Sequence, residues 1–363
     1  MTINSSKYRM KLSHNNPICG VPFTEITVHH DSYGIKNLSV VPCCGAWLKT
    51  SSTSYPFPIE EGKDHTIDVL GAWNSDKYKE FRRSILDGTY KYCKKDTCPH
   101  WFEGKLPEPP PEALPYVEKG ETHLDYPPIM ARVCIDKACN LNCPSCRSTK
   151  KTESEIYTEE RFLSFFTCGI KQIYLNGSGE LFINKGMLKV LRKFSSKEYP
   201  HIEAFHIITN GTAFNRTNWY SLSPDFIKLV REVIVSVDSP RKETYEKLRV
   251  GGNFEITLKN LEFIAGLRRD GFIKKLIFTD VLQKANIHEV ADFVRFAHNL
   301  NADMVNFNKI EHWWSKDTAY FFNNMALPEG WATTYKTKID ETVGLLKNYK
   351  MGLISNVISL GDQ

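Results

Sequence analysis

The sequence predicts an α/β fold, an open six-stranded parallel barrel of βα units preceded by a small α+β module stabilised by metal. Three observations predict it. From residue 129 onward, apolar stretches of strand length alternate with segments of helical period, the pattern of repeated βα units. Three cysteines, Cys139, Cys143 and Cys146, fall within eight residues directly after the first of those stretches. The first 103 residues place Cys19, Cys43, Cys44, Cys93 and Cys98 around one hairpin and one helix, too thin a core to stand without a staple.

In chain order, Cys19 precedes a stretch of strand character, Phe23–Val28, followed by a turn at Asp31–Gly34 and a second strand, Leu38–Val41, that runs into Pro42-Cys43-Cys44. A helix is expected next, capped by Ser75, with Tyr78, Phe81 and Ile85 on one face and Gly88 as its stop. It delivers the chain to Cys93 and Cys98. Tying Cys19, one of Cys43 and Cys44, Cys93 and Cys98 to a metal would supply the missing stability. On spacing alone, zinc is the commoner occupant of four scattered cysteines. Residues 104–128 read as a linker, with a polyproline stretch at Leu106–Pro111 and Tyr126-Pro127-Pro128 leading into the barrel.

Residues 129–310 carry the expected barrel. Its strands are 129–135, 171–175, 205–209, 232–237, 276–281 and 302–307, with a helix near 158–167. Two later helices show clear period, through Phe254, Leu258, Leu261 and Ala265, then Val290, Phe293, Val294 and Ala297. Residues 311–363 hold Trp313, Trp314, Tyr320, Phe321, Phe322 and Trp331, a helix around 335–348 and an apolar strand at 353–358. This segment is expected to close the open side of the barrel. Asn286-Ile287-His288-Glu289 reads as a capping box.

Composition narrows the function. Hydrophobic content of 41% and charged content of 25% are those of an ordinary globular protein, and a net charge of +5 over 363 residues is too small to imply nucleic acid. Basic residues are scattered rather than grouped with aromatics, which gives RNA modification no support. No apolar run approaches the roughly 20 residues of a membrane span. Met1–Lys7 lacks a signal-peptide core, and ten cysteines then argue for metal ligation in a reducing, cytoplasmic setting.

Thiolates are soft ligands for Fe–S clusters or zinc. Three of them at Cys139, Cys143 and Cys146 can hold three corners of a [4Fe–4S] cube, and no fourth cysteine lies close behind, so one iron stays open. The C-x3-C-x2-C spacing after the first barrel strand resembles the signature of the radical S-adenosylmethionine (SAM) superfamily, with Ser145 where many members carry an aromatic residue. The resemblance spans about residues 128–310. It implies a cluster whose open iron is chelated by SAM and reductive cleavage of SAM to a 5′-deoxyadenosyl radical, with electrons from a donor such as flavodoxin or ferredoxin.

The same resemblance assigns further residues at the strand ends. Asn176-Gly177-Ser178-Gly179-Glu180 is similar to the glycine-glycine-glutamate motif that receives the SAM amino group, which implicates Gly177, Gly179 and Glu180. Asn210, in Thr209-Asn210-Gly211, matches a Thr-Asn-Gly seen after the third strand. Ser236 is implied to touch the ribose or carboxylate of SAM, and Arg249 to pair with its carboxylate. Each has a plainer reading as a turn or a solvated side chain. Residues 17–103 resemble the SPASM/twitch module of such enzymes, which holds an auxiliary [4Fe–4S] cluster, although that module usually follows the barrel. Its pattern implies Cys19, Cys43, Cys93 and Cys98 as ligands, Cys43 being preferred to Cys44 because it falls where the second ligand is expected.

The expected reaction is a net oxidation of a sugar-like or other small polar substrate, since no separate peptide-recognition domain is evident. Radical modification of a peptide or protein is the alternative. A non-catalytic zinc- or Fe–S-stabilised binding protein is the rival of another class. Cys134 and Cys168 are read as apolar fillers, with hydrogen-atom donation by either thiol as the sharper alternative.

Overall fold

A computed structural model describes residues 17–32, 35–49, 57–59, 62–146, 158–175, 179–312 and 318–360. Ten strands form one sheet in the order β10-β9-β8-β7-β6-β5-β4-β1-β2-β3. They are β1 (Glu25–Ser32), β2 (Ile35–Val41), β3 (Phe57–Pro58), β4 (Met130–Cys134), β5 (Gln172–Leu175), β6 (Ala204–Thr209), β7 (Val230–Ser236), β8 (Lys275–Leu282), β9 (Met304–Lys309) and β10 (Gly352–Ser355). The expected parallel array is β4 to β9, and β10 adds to it in parallel beside β9.

The sheet extends further than six strands on the other side as well. β1 pairs in parallel with β4, from Glu25 opposite Met130 to His29 opposite Cys134, so the N-terminal hairpin continues the barrel sheet. Residues 104–128, expected as a plain linker, contain the helix Leu114–Lys119, with Pro115 in its first turn and Gly120 at φ 70° as its left-handed cap. Proline inside the start and glycine past the end is a legible helix signature. The helix Asp76–Leu86 begins at Ser75, whose Oγ accepts from Tyr78 N, and its buried face carries Tyr78, Phe81 and Ile85.

Alternation along the parallel strands separates two faces. Ala131, Val133, Ile173, Leu175, Phe205, Ile207, Val233, Val235, Leu276, Phe278, Val305 and Phe307 are fully buried. On that side lie the helices Thr158–Thr167, Pro224–Leu229 and Val290–Asn299, which bring Phe166 to 5.9 Å and Phe226 to 4.7 Å from the Phe205 ring, and Phe293 to 5.7 Å from Phe307. Each such ring contributes about 1.5–3 kcal/mol on leaving water.

The other face carries one polar row in register, Thr27, Arg132, Tyr174, His206, Glu232 and Lys275, followed along the strands by an apolar row, Ile208, Ile234, Ile277 and Met304. Arg132 Nε lies 3.2 Å from Glu25 and its guanidinium 4.3 Å from the Tyr174 ring. Tyr174 stacks on His206 at 4.1 Å and donates to Glu232 at 3.1 Å, and Lys275 reaches Glu232 at 3.6 Å. Burial and the nearby Arg132 push His206 down to about 4, so its ring is neutral at physiological pH.

The sheet curls toward this polar face, because its two ends meet. Lys94 of the N-terminal module lies 3.0 Å from Glu311 beyond β9, and Asn356 Nδ2, beyond β10, donates to Thr97 O at 3.1 Å. The helix Lys336–Tyr349 lies against Val290–Asn299 on the outer side, with His298 stacked on Tyr349 at 3.8 Å. Trp313 and Trp314 lie outside the described residues.

Candidate active site at the strand ends

β4 ends at Cys134, and the chain enters the three-cysteine loop through Asp136. That carboxylate is buried and shapes the loop: Oδ1 accepts from Ala138 N at 2.7 Å, and Oδ2 from Asn184 Nδ2 at 2.6 Å. Ala138 O in turn accepts from Glu180 N at 2.7 Å. Gly179 makes this approach possible, because a Cβ there would lie 2.4 Å from Ala138 O and 2.9 Å from Asp136 O. On the far side, Asn142 N donates to Val250 O at 2.8 Å, and Gly251, at φ 93°, passes against Asn140 and Leu141. The loop is therefore clamped between the chain after β5 and the chain before the helix Phe254–Arg269.

The thiols of Cys139, Cys143 and Cys146 lie close enough for their charges to interact, and burial pushes Cys143 up to about 11. Their sulfurs already receive donors. Leu141 N lies 3.5 Å and Asn210 Nδ2 3.7 Å from Cys139 Sγ, and Arg249 Nη1 lies 4.0 Å from Cys143 Sγ. These polarised N–H groups aimed at sulfur suit thiolates carrying metal. Among the described residues no three His, Cys, Asp or Glu side chains converge as one ion would require. A cube whose thiolates bind separate irons keeps its sulfurs wider apart than the tetrahedron around zinc, with Zn–S near 2.3 Å.

Of the residues implicated at the other strand ends, Glu180 is 2% exposed and its carboxylate is engaged: Oε1 accepts from Thr209 Oγ1 at 2.7 Å and Oε2 from Asn210 N at 2.7 Å. Burial raises its pKa, opposed by those hydrogen bonds. A carboxylate offers about four lone-pair sites, so capacity for a further donor remains. Asn210 bridges Glu180 and the cysteine loop, donating also to Asn140 Oδ1 at 3.0 Å. Ser236 closes β7, half-buried on the polar face. Arg249 Nε lies 2.8 Å from Asp238 Oδ2, and Asp238 holds the guanidinium firmly in its charged form. Gly177 lies outside the described residues.

The N-terminal cysteines lie on neighbouring segments. Leu48 bridges to Cys93, and Lys94 N donates to Trp47 O at 2.7 Å, which lays the chain after Cys43 beside the Cys93–Cys98 loop. Gly20 N donates to Pro107 O at 2.7 Å, anchoring Cys19 from the proline-rich side. Cys19 lies within the fields of Cys93 and Cys98, and Cys43 within those of Cys93, Cys44 and Cys19, and burial pushes Cys19 and Cys93 up to about 12. Cys44 lies beside Cys43 and also within reach of Arg132 and Cys134.

Comparison with known proteins follows this geometry. No family model matches the chain. It is 25% identical over 182 residues to the GTP 3′,8-cyclase of Rhizobium etli, covering 48% of this chain and 49% of that protein. A probable GTP 3′,8-cyclase of Pyrococcus abyssi is 25% identical over 203 residues, covering 54% and 61%. These partial matches agree with the resemblance of the cysteine loop, set after the first barrel strand, to the radical SAM signature. The chain spans about half to three-fifths of the length of these relatives. Among solved structures, Streptococcus suis SuiB bound to S-adenosylmethionine overlays at TM-score 0.47 and 14% identity, over 78% of this chain and 62% of that one.

Sequence reasoning missed part of this site. Asn286 does not cap its helix: Nδ2 donates to Asp238 O, Asp280 Oδ1 and Val281 O, and Oδ1 accepts from Gln283 N. Glu289 does not complete a capping box either, accepting instead from Ser239 Oγ at 2.5 Å and Thr244 Oγ1 at 2.6 Å. The correction has a physical cause: buried carboxylates and carbonyls at the ends of β7 and β8 claim these side chains first. Burial beside Asp238 and Glu289 drives Asp280 toward its neutral form. Ser239 is buried against Glu289, and the next helix starts at Lys242. Cys134 is 4% exposed and Cys168 Sγ turns to Phe165 O at 3.7 Å, both consistent with packing.

Proposed function

We propose that the protein is a radical SAM enzyme that binds a [4Fe–4S] cluster on Cys139, Cys143 and Cys146 and uses it for the reductive cleavage of SAM. The observation that carries this reading is the clamped loop itself, which brings three cysteines to the C-terminal end of β4 with N–H donors already on the sulfurs of Cys139 and Cys143. Barrels of this kind gather their chemistry at that end. When bound, the cluster supplies the electron that breaks SAM and yields the hydrogen-abstracting 5′-deoxyadenosyl radical. Glu180 would accept the SAM ammonium, with Gly177 and Gly179 as the glycines of that motif, and Asn210, Ser236 and Arg249 would bound the same site. A second cluster on Cys19, Cys43, Cys93 and Cys98 completes the proposal, with a flavodoxin or ferredoxin as electron donor. Anaerobic reconstitution should load about eight irons per chain for two such clusters, and removing the four N-terminal thiols should leave about half. Iron absent from the Cys139–Cys146 loop defeats the proposal.

The substrate we infer is a small polar molecule held over the polar row. What supports this is the row of Thr27, Arg132, Tyr174, His206, Glu232 and Lys275 on the concave face, where an apolar lining would be the default for a parallel sheet. A nucleotide belongs to this class, which matches relatives named for a reaction of GTP. A peptide is the second reading, favoured by the likeness to SuiB, whose structure is also known bound to precursor peptide SuiA. A panel of nucleotides, sugars and peptides, scored by substrate-dependent release of 5′-deoxyadenosine, separates the two.

A further inference from the structure

We propose that Asp238 is a positioning residue that fixes the Arg249 guanidinium against the Cys143 sulfur and thereby sets the reduction potential of the cluster on the Cys139–Cys146 loop. The inference rests on the reading of that loop as a cluster site. Asp238 is 1% exposed and stands just past the end of β7 with φ 66°, a left-handed backbone that aspartate tolerates better than most side chains. It is held from three directions. Oδ1 accepts from Val281 N of β8 at 3.0 Å, its carbonyl accepts from Asn286 Nδ2 at 2.9 Å, and Oδ2 lies 2.8 Å from Arg249 Nε.

A carboxylate so anchored leaves the guanidinium little freedom, and the planar fork then points Nη1 at Cys143 Sγ, 4.0 Å away. The side chain of Arg249 is 13% exposed, so water does not screen this contact strongly. Reduction adds negative charge to a cluster, and a positive N–H donor on a ligand sulfur favours the reduced form. Hydrogen bonds to charged groups are roughly twice as strong as neutral ones. Losing one should reduce the population of reduced cluster about tenfold at fixed potential, which is 59 mV for a one-electron couple.

The test is an EPR-monitored redox titration of the reconstituted, full-length protein without SAM, comparing wild type, Asp238→Asn, Arg249→Gln and the double variant. Asn is isosteric with Asp but turns one acceptor into a donor, so it loses either Val281 N or Arg249 Nε. The expected result is a fall of about 59 mV in each single variant, about tenfold in reduced population, and no further fall in the double variant. A wild-type potential in Asp238→Asn while Arg249→Gln shifts overturns the proposal, as do fully additive shifts. A raised potential in Asp238→Asn also overturns it, because Asp238 would then act by its charge and not by placement. Should Asp238→Asn fail to load iron, Arg249→Lys serves instead: it keeps the charge but loses the fork, so an unchanged potential overturns the proposal. A wild-type protein with no reducible cluster at this loop defeats the underlying functional reading, and is thereby distinguished from failure of the inference.

Discussion

Gly179→Ala is the substitution that should most cleanly separate the clamp on the cysteine loop from the rest of the fold. The new Cβ would lie 2.4 Å from Ala138 O, 2.9 Å from Asp136 O and 3.1 Å from Ala138 N. All three are backbone atoms, so no rotamer change relieves them. The chain after β5 and the chain after β4 must separate by about 1 Å to restore ordinary contact, since carbon–oxygen approaches below about 3.3 Å are rare even for weak C–H contacts. That separation breaks the 2.7 Å bond from Glu180 N to Ala138 O. Overpacking of this kind costs about 1–3 kcal/mol and the lost hydrogen bond about 0.5–1.5 kcal/mol, giving roughly 2–4 kcal/mol. The assay is paired: urea unfolding of the iron-free protein, and iron and sulfide per chain after anaerobic reconstitution. We expect a lowered midpoint without a change in slope, together with reduced iron at the loop. A variant with wild-type midpoint and wild-type iron would refute the clamp.

The auxiliary site makes a sharper distinction between neighbours: Cys43→Ala should lose iron while Cys44→Ala keeps it, because Cys43 shares the fields of Cys19 and Cys93 whereas Cys44 lies toward Arg132 and Cys134. Metal analysis of the two variants decides it. Arg132→Met would strand Glu25, which is 6% exposed, without its partner. Because the Arg132 side chain keeps 27% of its surface exposed, we expect a loss of about 2–3 kcal/mol in urea unfolding, below the 3–5 kcal/mol of a fully buried pair. A smaller loss than about 1 kcal/mol would mean water already serves Glu25. Burial pushes Cys19, Cys93 and Cys134 up to about 12 and Cys143 to about 11, from an ordinary value of 9. The unfolded chain therefore releases thiol protons near 9 that the folded chain retains, so the iron-free protein should lose stability as pH rises from about 9 to 12. Unfolding midpoints that do not fall between about pH 8 and 10 would contradict this.

The barrel was legible because each strand is a short apolar run with its own helix behind it. The helices beginning at Phe254 and Val290 are legible from period, and one is expected near 158–167; the structure places them at Phe254–Arg269, Val290–Asn299 and Thr158–Thr167. The pairing of β1 with β4 was not legible, because register between strands a hundred residues apart leaves no local mark. The polar row had a signal that reading by apolar content overlooked: Arg132, Tyr174, His206 and Glu232 interrupt their strands at alternate positions, which a two-sided apolar sheet would not allow. The cluster of Asp238, Asp280, Asn286 and Glu289 carried no such mark. Its members come from the chain after β7, from β8 and from the segment after β8, and Asn286 with Glu289 imitates a helix cap so well that local chemistry points the wrong way.

The most direct test of the account is anaerobic incubation of the reconstituted protein with dithionite and SAM, read as 5′-deoxyadenosine by mass spectrometry. The account predicts its release by the wild type and its loss when Cys139, Cys143 or Cys146 is replaced by alanine. Undiminished release from those variants, or intact SAM with fully loaded wild type, would contradict it.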